Sequence, residues 1–299
     1  MRSVKHPPGV LARKLGARKL LMTYATVHLH LTPYPAPTSL GAIDYACALA
    51  KLFEAQLAVS SSHLEIRAPQ NWIVGTMMST MARELQAVTT AKTQELELHV
   101  QREALLQGIP AKITPTAEHW PDGLVDNSWR GRVSDLCILS LSPDSTEARL
   151  YVEDWLFGSG RPCILYPDSS RQLFSTESVL ICWDFSKSAS RAISDALPLL
   201  HNARRVRVAI FRGEKDIPVA DPATPLVAFL ADHGLEAEVE EVAIGKRTIG
   251  QAILEHADAT DTNLILMGAF GHSRLREFVL GGATRDLLGK SPIPLFMSH

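Results

Sequence analysis

A chain of 299 residues, 46% hydrophobic and 21% charged, has the composition of a folded globular protein, which excludes disordered, collagen-like and low-complexity classes. Its length fits two domains at roughly 150 residues each. Thirty Lys and Arg against 32 Asp and Glu leave a formal net charge of -2. No charge excess points to nucleic acid, and no apolar run reaches the ~20 residues of a membrane span.

Residues 1–21 are basic and hold no acid; the first acidic residue is Asp44. A flexible tail, with a domain starting near Met22, explains this start better than a transit peptide or a tether to an anionic surface. The first half then alternates strand and helix. Strands are predicted at 25–31, 57–61, 111–114, 136–141 and 163–166, and helices at 39–53, 124–130 and 152–157. Residues 71–107 read as a long helical insert. Its Val74, Met77, Met78, Met81, Leu85 and Val88 form a stripe expected to pack against the sheet. Pro167–Thr176 is polar and breaks both periodicities, which places a linker at 169–177 between domains 22–168 and 178–299.

The second half repeats the order. Val179-Leu180-Ile181-Cys182-Trp183 is a continuous apolar run, the mark of a strand buried on both faces. Helix 188–203 follows, with Pro198 expected to kink or end it. Strand 206–211, helix 226–233, strand 237–242, helix 249–259, strand 264–267, helix 283–290 and strand 294–298 complete the series. Ala42, Ile43, Ala46 and Cys47 answer Ala192, Ile193, Ala196 and Leu197 at a constant offset. The fold class is therefore α/β: two tandem doubly wound domains with parallel sheets, expected to pack face to face as an intramolecular pseudo-dimer.

In open parallel sheets ligands bind beyond the carboxyl ends of the strands, where the strand order reverses. Three features of the second half fall there. Asp184 follows the first strand, Gly268-Ala269-Phe270-Gly271 follows the fourth, and Gly281-Gly282-Ala283-Thr284 opens the last helix. Glycines admit backbone N–H groups close to a ligand, and a helix N-terminus favours an anion. These glycines suit a phosphate cradle, and a carboxylate opposite suits a ribose hydroxyl or an adenine amine. Tight turns alone would also account for glycines.

The spacing Gly268-x-x-Gly271, nine residues, then Gly281 before a helix resembles the nucleotide motif of the universal stress protein family. The strings MGAFGHSRLREFVLGGATRDLL, WDFSKSASRAISDALPLL and GSGRP are similar to tandem members of that family. The resemblance spans Met22–His299, strongly in the second half and weakly in the first. It implies a five-stranded sheet per domain and, in a subset of members, bound ATP or another adenine nucleotide, with Mg as a companion. By position, Asp184 would meet adenine or ribose and Gly268 the ribose. Gly271, Gly281, Gly282, Ala283 and Thr284 would hold phosphates, and the backbone at Ile210 or Phe211 would border adenine. Two departures stand out. Gly282 occupies the Ser or Thr position, where Thr284 is left to supply a hydroxyl or merely to cap the helix. Phe185 replaces a small residue after the aspartate and is expected to fill part of the pocket.

The first half has no such motif. His30-Leu31-Thr32-Pro33 stands at the aspartate position and Ser140-Leu141-Ser142-Pro143 after the fourth strand, while Gly158-Ser159-Gly160 precedes the last strand. No nucleotide is expected there. His28 and His30 share a strand face without an evident third ligand, so no metal is assigned. Four scattered cysteines read as reduced and structural. Rossmann and Walker patterns are absent. The expected function is that of a cytoplasmic universal stress protein binding an adenine nucleotide through its C-terminal domain and acting on an unidentified protein partner. Alternatives are a scaffold or chaperone-like protein without nucleotide, or a slow ATP hydrolase or phosphotransfer enzyme; a homodimer is a further possibility.

Overall fold

A computed structural model describes residues 23–66, 75–120, 127–142, 146–170, 172–213, 219, 221–269 and 282–299. The first half runs β1 (Thr26–Leu31), α1 (Leu40–Leu52), β2 (Gln56–Ile66), α2 (Gly75–Gln107), β3 (Ala111–Trp120), a 3-10 helix (Ser128–Val133), β4 (Leu136–Leu141), α3 (Thr146–Gly158) and β5 (Cys163–Pro167). The second runs β6 (Ser178–Cys182), α4 (Lys187–Leu200), β7 (Arg205–Arg212), α5 (Ala223–Asp232), β8 (Glu238–Ala243), α6 (Ile249–Ala259), β9 (Leu264–Gly268), α7 (Gly282–Lys290) and β10 (Leu295–Ser298).

All ten strands belong to one sheet in the order β3-β2-β1-β4-β5-β10-β9-β6-β7-β8. Neighbours pair in parallel within each half. The halves meet where β10 pairs antiparallel with β5, Phe296 opposite Ile164. The expected face-to-face packing is therefore corrected: the halves join edge to edge. The physical reason is that each half ends in an apolar strand (CILYP and LFMS) whose unpaired backbone edge is satisfied by the other. Both faces of the sheet are covered by helices, and each hydrophobic cluster crosses the joint. Leu29 and Ile181 share one cluster; Leu139 and Leu295 share the other.

Several local expectations also shift. β2 and β3 overrun the prediction, pairing as far as Ile66 opposite Trp120, well past the end of β1. The overhang is held from above by α2: Thr93 Oγ1 donates to the Ser62 carbonyl (3.2 Å), and His63 Nε2 lies 2.9 Å from Glu97 Oε1. Polar helix residues thus stabilise strand residues that no apolar run announces. The buried face of α2 is Thr89, Thr93, Leu96, Val100 and Ala104, a stripe rotated from the expected one. Met81 and Val88 are 59% and 66% exposed, so the expected stripe does not pack on the sheet at those two positions, while Leu85 is half-buried and the side chains of Met77 and Met78 lie outside the described set. Val74 lies outside the described residues. Pro198 does not end α4, which continues to Leu200. Position 198 is in the last turn, where His201 N reaches the Leu197 carbonyl and Asn202 Nδ2 donates to the Pro198 carbonyl. In place of the helix predicted at 124–130 stands the 3-10 helix; residues 121–126 lie outside the described set.

Candidate functional site

The reversal of strand order in the second half lies between β6 and β9, because the crossover through α4 leaves β6 for β7 while that through α7 leaves β9 for β10. Asp184 follows β6 after one residue, Trp183. Its Oδ1 accepts from Ser186 N (3.0 Å), which fixes the turn into α4, and Ser186 Oγ then caps the helix by accepting from Ala189 N (3.1 Å). Gly268 ends β9 beneath that first turn. A Cβ at 268 would lie 2.4 Å from Ala189 N and 2.6 Å from the Ser188 carbonyl carbon, so close approach of α4 by itself demands glycine. On the far side, α7 starts at Gly282, followed by half-buried Ala283 and buried Thr284. Thr284 is the third residue of α7, so it does not cap it. Gly271 and Gly281 lie outside the described residues.

Phe185 adopts φ 62°, in the left-handed region. Its ring packs edge-on to Trp183, 5.7 Å between centroids, and lines a cavity toward α5. Ile210 is buried in β7 and Phe211 is half-buried.

Register identifies the matching place in the first half. Leu29 pairs with Ile138 as Ile181 pairs with Leu266, so Ser140 is the counterpart of Gly268. Ser140 Oγ accepts from Ser39 N (3.1 Å) at the start of α1 and donates to the Asp168 carboxylate. A hydroxyl and a carboxylate thus occupy the ground that glycine leaves clear in the second half. Gly158-Ser159-Gly160 serves the turn before β5, with Gly160 at φ 62°.

Sequence reasoning missed a buried polar relay in the first half. Ser60 Oγ lies 2.9 Å from His28 Nε2 and 2.7 Å from His30 Nδ1; Ser62 Oγ lies 3.0 Å from His30 Nε2 and donates to Glu118 Oε1. Asn127 Nδ2 also donates to that carboxylate oxygen (2.5 Å). With Ser62 donating to Glu118, proton bookkeeping runs one way: His28 Nε2–H to Ser60, Ser60 to His30 Nδ1, and His30 Nε2–H to Ser62. Among the described residues, His28 Nδ1 has no partner. Tyr151 and Trp155 of α3 lie over the His30 ring, 5.1 and 5.2 Å between centroids. Burial, aided by the Arg130 charge, lowers the His28 pKa to about 4; burial, then His28 and Arg130, lowers His30 well below its ordinary value. Burial raises Glu118 against the opposing Ser62 and Asn127 hydrogen bonds. Every side chain of the relay is buried, so it is closed to a substrate. The only sequence signal was the His-x-His alternation of β1 and the Ser-x-Ser alternation of β2.

Among the described residues, Asp44, His99 and Glu103 bring potential metal-ligand atoms within 4.8 Å of one another. Arg102 donates to His99 Nδ1 (3.0 Å), which leaves the ring proton on Nε2, donated to Asp44 Oδ1 (2.7 Å). The group is thereby satisfied as a clamp between α1 and α2. Cys47, Cys137, Cys163 and Cys182 are free; burial raises the Cys47 thiol to about 12 and pushes Cys182 up as well. Among the described residues no helix is long and apolar enough to cross a membrane.

Residues 176–299 match the model of the universal stress protein family. Universal stress protein Slr1230 of Synechocystis is 28% identical over 137 residues, 45% of this chain and 46% of that protein, so the match spans about half of the relative's length. The crystal structure of a universal stress protein from Archaeoglobus fulgidus superimposes with a TM-score of 0.66 at 19% identity, covering 91% of this chain and 95% of that one. A functionally unknown protein from Pseudomonas aeruginosa PAO1 gives 0.55 at 12% identity, covering 95% and 94%. These structures share the mostly parallel α/β architecture across both halves. Residues 176–299 are a domain of the universal stress protein family.

Proposed function

We propose that the C-terminal domain binds an adenine nucleotide, ATP first among them, and that the protein serves a stress response by binding rather than by turnover. The observation that carries this reading is the meeting of Asp184, Gly268 and the start of α7 around one reversal of strand order. Asp184 takes a ribose hydroxyl or the adenine amine, Gly268 lies along the ribose, and Ile210 or Phe211 borders the base. Gly271, Gly281, Gly282, Ala283 and Thr284 hold phosphates through backbone N–H groups and the positive end of α7. The fit is favourable in that neither Gly268 nor Gly282 carries a side chain into the crevice. Magnesium, when bound, supplies charge neutralisation on the phosphates.

The test uses the full-length protein. Heat denaturation should release an adenine nucleotide identifiable by chromatography, and calorimetry of stripped protein should give one ATP site per chain, because Ser140 and Asp168 fill the matching place in the first half. A preparation that releases no nucleotide and takes up no added ATP refutes the proposal. A second reading, a scaffold without nucleotide, draws on a specific observation. The Asp184 hydrogen bond to Ser186 and the close approach of α4 to Gly268 would both be kept without any ligand.

A further inference from the structure

Between α4 and α5, at the carboxyl end of β6, lies an open cavity of about 470 Å³ lined by Trp183, Phe185, Phe229, Leu226, Lys187 and Ser190 among others. None of Asp184, Gly268, Ala283 or Thr284 lines it, so it is separate from the crevice between β6 and β9. Its volume falls within the ~300–1,000 Å³ of small-molecule sites, and its walls are mainly apolar with a few polar groups, as such sites are.

Two features define the ligand. Phe185 holds a left-handed backbone that glycine or asparagine would adopt at little cost, yet its ring is still 37% exposed. Burial in the core therefore offsets only part of that strain. What the ring does complete is an aromatic wall with Trp183, whose own orientation is fixed by Nε1 donating to the Pro222 carbonyl (2.7 Å). Strained residues of this kind collect at ligand clamps. The second feature is Lys187, exposed at the rim and making no ion pair among the described residues. It stands in the first turn of α4, where the helix dipole adds positive potential. Aromatic walls with one unneutralised cation at the mouth are complementary to a flat ring bearing one negative charge.

We propose that this cavity binds a small aromatic carboxylate, its ring among Trp183, Phe185 and Phe229 and its carboxylate paired with Lys187. The site is independent of the nucleotide reading and stands or falls without it. The probe is 2-naphthoate, titrated by calorimetry into the full-length chain, with neutral 2-naphthamide in parallel. Saturable binding of one naphthoate per chain is expected. Lys187→Gln should weaken naphthoate by about threefold to fivefold, as loss of an exposed ion pair does, and leave naphthamide unchanged. Ser190→Trp, an exposed position on the cavity wall, should plug the site and abolish binding of both probes. Phe229→Ala, which removes one aromatic wall, should weaken both by about tenfold and provides a second check if the tryptophan variant misfolds. Absence of saturable binding to the folded wild type overturns the proposal. So does undiminished binding in a folded Ser190→Trp or Phe229→Ala variant, or an equal effect of Lys187→Gln on both probes.

Discussion

Gly268→Ala separates what glycine does for the fold from what it does for a ligand. A methyl at 268 would stand 2.4 Å from Ala189 N and 2.6 Å from both the Ser188 carbonyl carbon and Oγ, whereas ordinary contact begins at 3.4 Å. Two of these three neighbours are backbone, so rotating the Ser188 side chain alone cannot relieve the clash. The first turn of α4 must lift by about 1 Å, which at the cost of overpacking amounts to roughly 1–3 kcal/mol. That displacement also disturbs the Ser186 cap on Ala189 N, about 1 kcal/mol more. A total near 3 kcal/mol is a large fraction of the ~5–15 kcal/mol available to a folded domain. Urea unfolding of ligand-free protein, followed by circular dichroism and tryptophan fluorescence, should show a clearly lower midpoint. A loss below about 1 kcal/mol would refute the steric argument and return Gly268 to a purely ligand-based role.

The relay makes three further predictions. Because folding lowers the His28 pKa from the ordinary 6.5 to about 4 and lowers His30 as well, their contribution is complete above pH 6.5 and is lost as pH falls toward 4. For His28 alone the change is about 3 kcal/mol, with raised Glu118 working in the opposite direction at the acid end. Chemical denaturation from pH 7.5 to 4 should show this slope, and His28→Leu should flatten it; an unchanged slope in that variant would be contrary evidence. Ser60→Ala strands two buried ring nitrogens and should cost about 2 kcal/mol or more. Replacing His28, His30 and Ser60 together by Leu, Cys and Ala, the residues of the second half at those register positions, should cost less than Ser60→Ala alone. A triple variant less stable than the single one would contradict the argument.

The succession of strands and most helices along the chain were legible because β4, β5, β6 and β9 are buried on both faces and read as unbroken apolar runs. The overhang of β2 was not, since Ser60-Ser61-Ser62-His63 has no apolar alternation and depends on α2 for partners. The relay joins residues 28 to 127 across four elements, so no local window contains it. At the candidate site, Asp184 and Gly268 stood out in the sequence through chemistry that suits a nucleotide. Their turn and packing roles became visible only when α4 was placed over β9. The edge-to-edge joint was hidden for a related reason. Apolar end strands announce burial, but they do not say whether a face or an edge will cover them.

That joint gives the first half a part in shaping the candidate site of the second. β5 and β10 would each be an open edge alone, and their antiparallel pairing closes both. α4 lies over β9 and β10, with its first turn against Gly268 and its Asp195 at the joint. There the Asp195 carbonyl accepts from Tyr24 of the first half (2.7 Å), and its carboxylate accepts from Ser298 of β10 (2.6 Å). The helix that walls the crevice is thus anchored at its middle by the opposite half of the chain. A second copy could not pair through β5 or β10, because each is already used. The outer edges that remain are β3 and β8, and β8 presents Glu238, Glu240 and Glu241 along an exposed strand, a charge pattern that resists strand addition. Any association between copies would therefore have to use a surface other than the sheet joint that already completes this chain.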